Sequence, residues 1–162
     1  MFRIKHLSLL LIALFALTIS SCGGGGGGGG DDTPTLTAEE QRLLDLVGTT
    51  GVTYEATSIT FNGVAATGFD DFTLTLRGTA SSKTYSTTDG DPVFKATGSW
   101  TFKGTNISEI LIDSNSNNTF VITNFNASAG TFTLTVDFVT NGGVAAGMNG
   151  TNGEYIFNLV KK

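Results

Sequence analysis

The sequence contains one histidine, His6, and one cysteine, Cys22, and both fall within the first 22 of its 162 residues. From Gly23 onward the chain has no imidazole and no thiol. That stretch therefore cannot assemble a Ser-His-Asp or Cys-His nucleophile pair, a zinc site built on nitrogen or sulfur, or an internal disulfide. No glycine pattern of the nucleotide-binding kind follows a strand and opens a helix, because Gly23–Gly30 is an unbroken homopolymer.

Carboxylates remain. Asp70, Asp71, Asp89, Asp91 and Glu55 are the candidates for an acid/base pair in glycoside hydrolysis, which requires two carboxyls facing one sugar ring. Nothing in their spacing sets two of them face to face, and Asp89-Gly90-Asp91-Pro92 reads as a turn. No catalytic residue is expected, and the chain is read as non-enzymatic. The segment Asp113-Ser114-Asn115-Ser116-Asn117-Asn118 places oxygen-bearing side chains at alternate positions, as a calcium loop begins. Its sixth position is Asn118 rather than glycine and its twelfth is Asn124 rather than glutamate, so a hairpin turn is expected there and no metal. No cofactor is implied. The remaining group with binding potential is aromatic: Phe72, Trp100, Phe102, Phe132, Phe138, Tyr155 and Phe157.

Those rings sit in segments whose apolar period is two. Phe72, Leu74 and Leu76 alternate with threonines and Arg77, and Phe132, Leu134, Val136 and Phe138 alternate with Thr133, Thr135 and Asp137. Trp100 and Phe102, then Tyr155, Phe157 and Leu159, repeat the pattern. Such alternation marks antiparallel strands with one buried face and one wet face. Turn chemistry separates them at Asn62-Gly63, Asp89 to Pro92, Lys103-Gly104, Asp113 to Asn118, Asn126 to Gly130 and Asn141-Gly142-Gly143. Eight strands are expected near 53–61, 71–77, 83–87, 96–103, 107–113, 118–125, 131–140 and 153–160. In the first, the apolar set shifts from Tyr54 and Ala56 to Ile59 and Phe61, which predicts a bulge near Thr57. Short strands joined in sequence favour an all-β, eight-stranded antiparallel up-and-down barrel, since closure removes exposed edges. A two-sheet sandwich is the competing arrangement. Ahead of the strands, Thr37-Ala38-Glu39-Glu40 is a capping box, Leu36, Leu43, Leu44 and Val47 follow helical spacing, and Gly48 stops the run. A short N-terminal helix is expected to close one end of the barrel.

Charged residues make up 14% of the chain, and glycine, at 22 residues, is abundant, which suits an exported β-rich domain. Arg3 and Lys5 precede an apolar stretch from Leu7 to Ile19 that is short for a membrane span and ends in Ile19-Ser20-Ser21-Cys22. This resembles the lipobox of bacterial lipoproteins, in which small residues precede a cysteine that is acylated on sulfur and becomes the new N-terminus. The resemblance implies a signal peptide over 1–21, lipid such as palmitate on Cys22, and attachment to a membrane. Residues 22–36 then form the anchor and a glycine-rich tether, and residues 37–162 the domain. Removing Met1 to Ser21 changes the formal charge from −5 to −7. That excess excludes nucleic acid as a partner and is wrong for electrostatic docking onto anionic lipid. Asp31-Asp32 resembles a displaced form of the acidic patch on surface-displayed lipoproteins. Cell-surface and periplasm-facing positions on the outer membrane both stay open.

Phe72-Thr-Leu-Thr-Leu-Arg-Gly78, Thr84-Tyr85, Gly98-Ser-Trp100-Thr-Phe102 and Phe132-Thr-Leu-Thr-Val136 together resemble the lipocalin-like domains of small bacterial lipoproteins. Lipocalins proper carry G-x-W near the first strand, where this chain has Gly51-Val-Thr-Tyr54. The resemblance implies a barrel, and the seven aromatic residues named above either fill its interior, which so many large rings favour, or line a pocket for a small apolar ligand at one mouth. The alternative is a surface-displayed module that binds protein or glycan through its exterior around a filled core. The sequence leaves the oligomeric state open.

Overall fold

The Thr37 hydroxyl accepts a hydrogen bond from the Glu40 amide at 3.2 Å, and the Glu40 carboxylate accepts one from the Thr37 amide at 2.8 Å. This reciprocal cap starts helix α1 (Ala38–Val47), and Gly48, at a φ of 58°, ends it by donating its amide to Leu44 O. The structure, a computed structural model, describes residues 35–139 and 151–162. Cys22, the glycine run, Asp31-Asp32 and the Asn141-Gly142-Gly143 turn lie outside those residues. The apolar face of α1 differs from expectation. Leu43, Leu46 and Val47 are buried, whereas Leu36 and Leu44 are 48% and 41% exposed. Residues spaced i, i+3 and i+4 share one stripe, and Leu44 lies a hundred degrees off it.

Nine strands follow among the described residues: β1 (Val52–Phe61), β2 (Val64–Ala65), β3 (Thr73–Gly78), β4 (Lys83–Thr88), β5 (Thr97–Lys103), β6 (Asn106–Ile112), β7 (Thr119–Asn126), β8 (Thr131–Phe138) and β9 (Gly153–Lys161). All pairings are antiparallel, running β1-β3-β4-β5-β6-β7-β8-β9, and β9 pairs back onto β1 from Tyr54↔Lys161 to Phe61↔Tyr155. That last pairing closes the sheet and rules out the sandwich. Eight strands form the barrel. The two-residue β2 folds back on the end of β1 through Asn62-Gly63, both with positive φ (49° and 78°), as a two-residue hairpin demands.

The expected bulge is present: the β1–β9 register jumps between Ala56 and Ser58, leaving Thr57 unpaired in the ladder. One extra residue flips the alternation, so Tyr54 in the first half and Ile59 in the second both turn inward. Because neighbouring strands run in opposite directions, Val52, Gly78, Lys83, Lys103, Asn106 and Lys161 share one end of the barrel. Helix α1 packs on β3 and β6 at that end. There the buried Tyr54 hydroxyl donates to Leu46 O at 2.8 Å. This satisfies a carbonyl in the last helical turn that has no intrahelical donor.

Candidate functional site

All seven aromatic residues named from the sequence point inward and join one core cluster, at 0% to 7% exposure. They are not spread around an empty lumen. Tyr54 meets Phe132 edge-on at 4.8 Å, Trp100 meets Phe102 at 5.4 Å, and Phe72 lies 5.1 Å from Phe157. The Trp100 indole donates its N–H to Thr84 O at 3.1 Å, so the ring is fixed by polar as well as apolar contact.

Both ends are closed from within the chain. At the helix end, Leu43, Leu46 and Val47 enter the core. At the opposite mouth, the β4–β5 connection brings in Val93 and Phe94, at 0% and 1% exposure. The Phe94 ring lies 5.1 Å from Phe120, 5.4 Å from Phe157 and 5.7 Å from Phe72, so it sits where a ligand at this mouth would have to go. Phe69, from the segment before β3, covers Phe72 and Phe157 from the same side. Val93 and Phe94 were not named from the sequence because they stand as an apolar pair inside a turn-rich segment, without periodicity. Their only sequence signal is two large apolar residues directly after Asp-Pro, where a solvated loop would carry polar ones.

Among the described residues, three concave features open at the surface. A cavity of about 330 Å³ at the mouth is lined by Phe61, Ala66, Thr67, Phe69, Pro92, Thr151 and Tyr155, with polar and apolar atoms facing it in nearly equal measure. Of the seven named aromatics, Tyr155 reaches it. A second, of about 420 Å³, is lined by Thr87, Asp89, Gly90, Asp91, Phe94 and Lys95. A groove of about 410 Å³ runs between α1 and the barrel, where the Arg42 guanidinium stacks 4.0 Å from the Phe125 ring centre. One Arg42 amino group, Nη1, is buried without a hydrogen-bond partner.

The carboxylates are distributed as follows. Asp70, Asp71, Asp89 and Asp91 gather at the mouth, where Asp89 accepts a hydrogen bond from the Asp71 amide at 3.2 Å. Glu55 stands at the helix end, 3.9 Å from Lys162. Asp113 is engaged on both oxygens: Oδ1 accepts from the Ser99 amide at 2.9 Å, and Oδ2 accepts from the Tyr85 hydroxyl at 3.2 Å with Lys95 at 3.4 Å. The candidate calcium loop is thus a turn whose one carboxylate ties three strands together. Asn118, read as the end of that turn, is buried at 1% exposure and completes the mouth like a peptide unit. Its Oδ1 accepts from the Val139 amide at 2.8 Å and its Nδ2 donates to Val139 O at 3.4 Å. Burial, with the nearby Asp113 charge, pushes the Tyr85 hydroxyl pKa well above its ordinary value. Burial, with the Asp45 charge, pushes that of Tyr54 up to about 12.

Comparison with protein-family models, with curated proteins and with solved structures gives no match. The class therefore rests on geometry: an all-β, eight-stranded antiparallel up-and-down barrel of lipocalin-like type, with a short N-terminal helix.

Proposed function

We propose that this chain is a lipid-anchored, non-enzymatic module of the bacterial cell envelope that works through its outer surface rather than through a ligand-filled lumen. The observation that carries the reading is the occupied interior. Seven inward rings, three residues of α1 and the Val93-Phe94 pair leave the barrel filled by its own side chains. In an eight-stranded barrel the interior is just wide enough for side chains or for one small ligand, and here side chains take the space. The exterior offers threonine, asparagine and charged groups, which suit a protein or glycan partner. The outer membrane is the proposed address, and the lipobox-like Ile19 to Cys22 segment supports attachment to a membrane. Metabolic labelling with a palmitate analogue tests the anchor. Wild type should label and fractionate with membranes, and Cys22→Ala should do neither. Labelling of the variant would overturn the anchor.

A second reading, a carrier of a small apolar molecule, is favoured by the mouth cavity lined by Phe61, Phe69 and Tyr155. A panel of environment-sensitive dyes and fatty acids separates the two. Displaceable binding that Phe69→Ser weakens would favour the carrier, and no binding across the panel would favour the filled module.

A further inference from the structure

The charged residues are sorted along the barrel axis. Arg42, Arg77, Lys83, Lys103, Lys161 and Lys162 stand on α1 or on strand termini at the helix end. The same end carries five carboxylates, Glu39, Glu40, Asp45, Glu55 and Glu109, and three of them are paired: Lys83 with Glu39 at 3.7 Å, Lys162 with Glu55 at 3.9 Å, and Lys103 with Glu109 at 3.0 Å. The opposite mouth carries Asp70, Asp71, Asp89, Asp91, Asp137 and Glu154. None of these six forms an ion pair among the described residues. The cation nearest them, Lys95, is held by Asp113. Residues 140–150, which join β8 to β9, contain no charged residue and leave this balance unchanged.

Two further features belong to the helix end. The chain enters the described domain at Thr35, directly before α1, so the covalent path to Cys22 leaves from here. Leu36 and Leu44 are also large apolar side chains left exposed at this end.

We infer that the helix end of the barrel rests against the anionic headgroup surface of the bilayer that carries the anchor, with the acidic mouth turned outward. The inference rests on the lipid anchorage proposed above. Attachment through Cys22 alone does not choose an orientation. Electrostatics does. A negative surface potential decays over about 8 Å at physiological salt, so only the end nearest the membrane feels it. One end is close to neutral, with Arg77 and Lys161 outside any ion pair among the described residues and two exposed leucines. The other brings six unpaired carboxylates. Asp31 and Asp32 precede Thr35 in the sequence and offset part of the positive charge on that side. The net negative charge opposes adsorption of the whole molecule, and the sorting exempts one end.

The test uses the lipidated full-length mature protein in vesicles of phosphatidylcholine with or without phosphatidylglycerol. A fluorophore is placed on Thr50→Cys at the helix end or on Thr67→Cys at the mouth, and a headgroup spin-labelled lipid serves as quencher. On phosphatidylglycerol vesicles position 50 should be quenched more strongly than position 67. The difference should shrink at about 0.5 M salt, where screening shortens to a few ångströms. It should also be lost in Arg77→Glu/Lys103→Glu/Lys161→Glu. Equal quenching, or stronger quenching at position 67, overturns the orientation. Flotation reports the anchor separately: protein that floats without an orientation preference refutes this inference alone, and protein that does not float refutes the anchorage and the orientation with it.

Discussion

Replacing Phe94 by alanine removes the ring that stops the mouth of the barrel. Phe94 is 1% exposed and touches the rings of Phe72, Tyr85, Phe120 and Phe157. Truncating a buried phenylalanine forfeits its transfer free energy and leaves a cavity, which together cost about 3–5 kcal/mol. The upper half of that range is expected, because each lost aromatic pair adds about 0.5–1.5 kcal/mol beyond area burial. Collapse is also hindered, since the neighbouring rings are held by barrel strands. A domain of this size has about 5–15 kcal/mol of stability in total, so the variant should remain folded but with a much lower urea midpoint and an unchanged slope. The apolar hole should then take a small aromatic such as benzene or indole, as dry engineered cavities do. Urea titration measures the first effect, and the ligand-induced rise in melting temperature of wild type and variant measures the second. A loss below about 1 kcal/mol, or a wild type that binds indole as well as the variant does, would refute the claim that Phe94 fills the mouth.

Other expectations follow from particular contacts. Gly98→Ala should cost about 1–3 kcal/mol by calorimetry, because a methyl group there would run into Asp113 Oδ1 and lie 2.5 Å from the Tyr85 ring. Asn118→Ala should cost a similar amount, about 1–3 kcal/mol, by leaving the Val139 amide without its partner, and hydrogen exchange at Val139 should accelerate. Thr37→Ala should remove about 1 kcal/mol through loss of the helix cap, visible as faster exchange in the first turn of α1 while the barrel amides stay protected. The pH dependence has a fixed sign. Tyr54 ionises near pH 10 when unfolded and near about 12 when folded, so the folded chain keeps a proton that the unfolded chain has lost. Stability should be intact below pH 10 and fall as pH rises from 10 through 12. The fall should be shallower in Tyr54→Phe, and an unchanged pH slope in that variant would count against the assignment.

Local chemistry was readable before any coordinates. The capping box at Thr37 and Glu40 set where the helix begins, and Gly48 set where it stops, because those interactions span only a few residues. Period-two alternation assigned the strands and turned the seven named rings inward. The misfit between Ala56 and Ile59 located the bulge at Thr57, since one inserted residue is the cheapest way to keep both halves of a strand facing the core.

What required the fold was everything that depends on residues far apart in the chain. Whether the sheet closes was decided by the pairing of β1 with β9, about a hundred positions away, which no local period encodes. The burial of Val93, Phe94 and Asn118 arises because a turn that looks solvated by composition is folded over a mouth and must meet the rings beneath it. Leu46 replaced Leu44 on the buried face of α1 because the helix's rotation is set by the barrel it covers. Net charge was countable from composition, whereas its division into two ends appeared only once antiparallel strands brought alternate termini together.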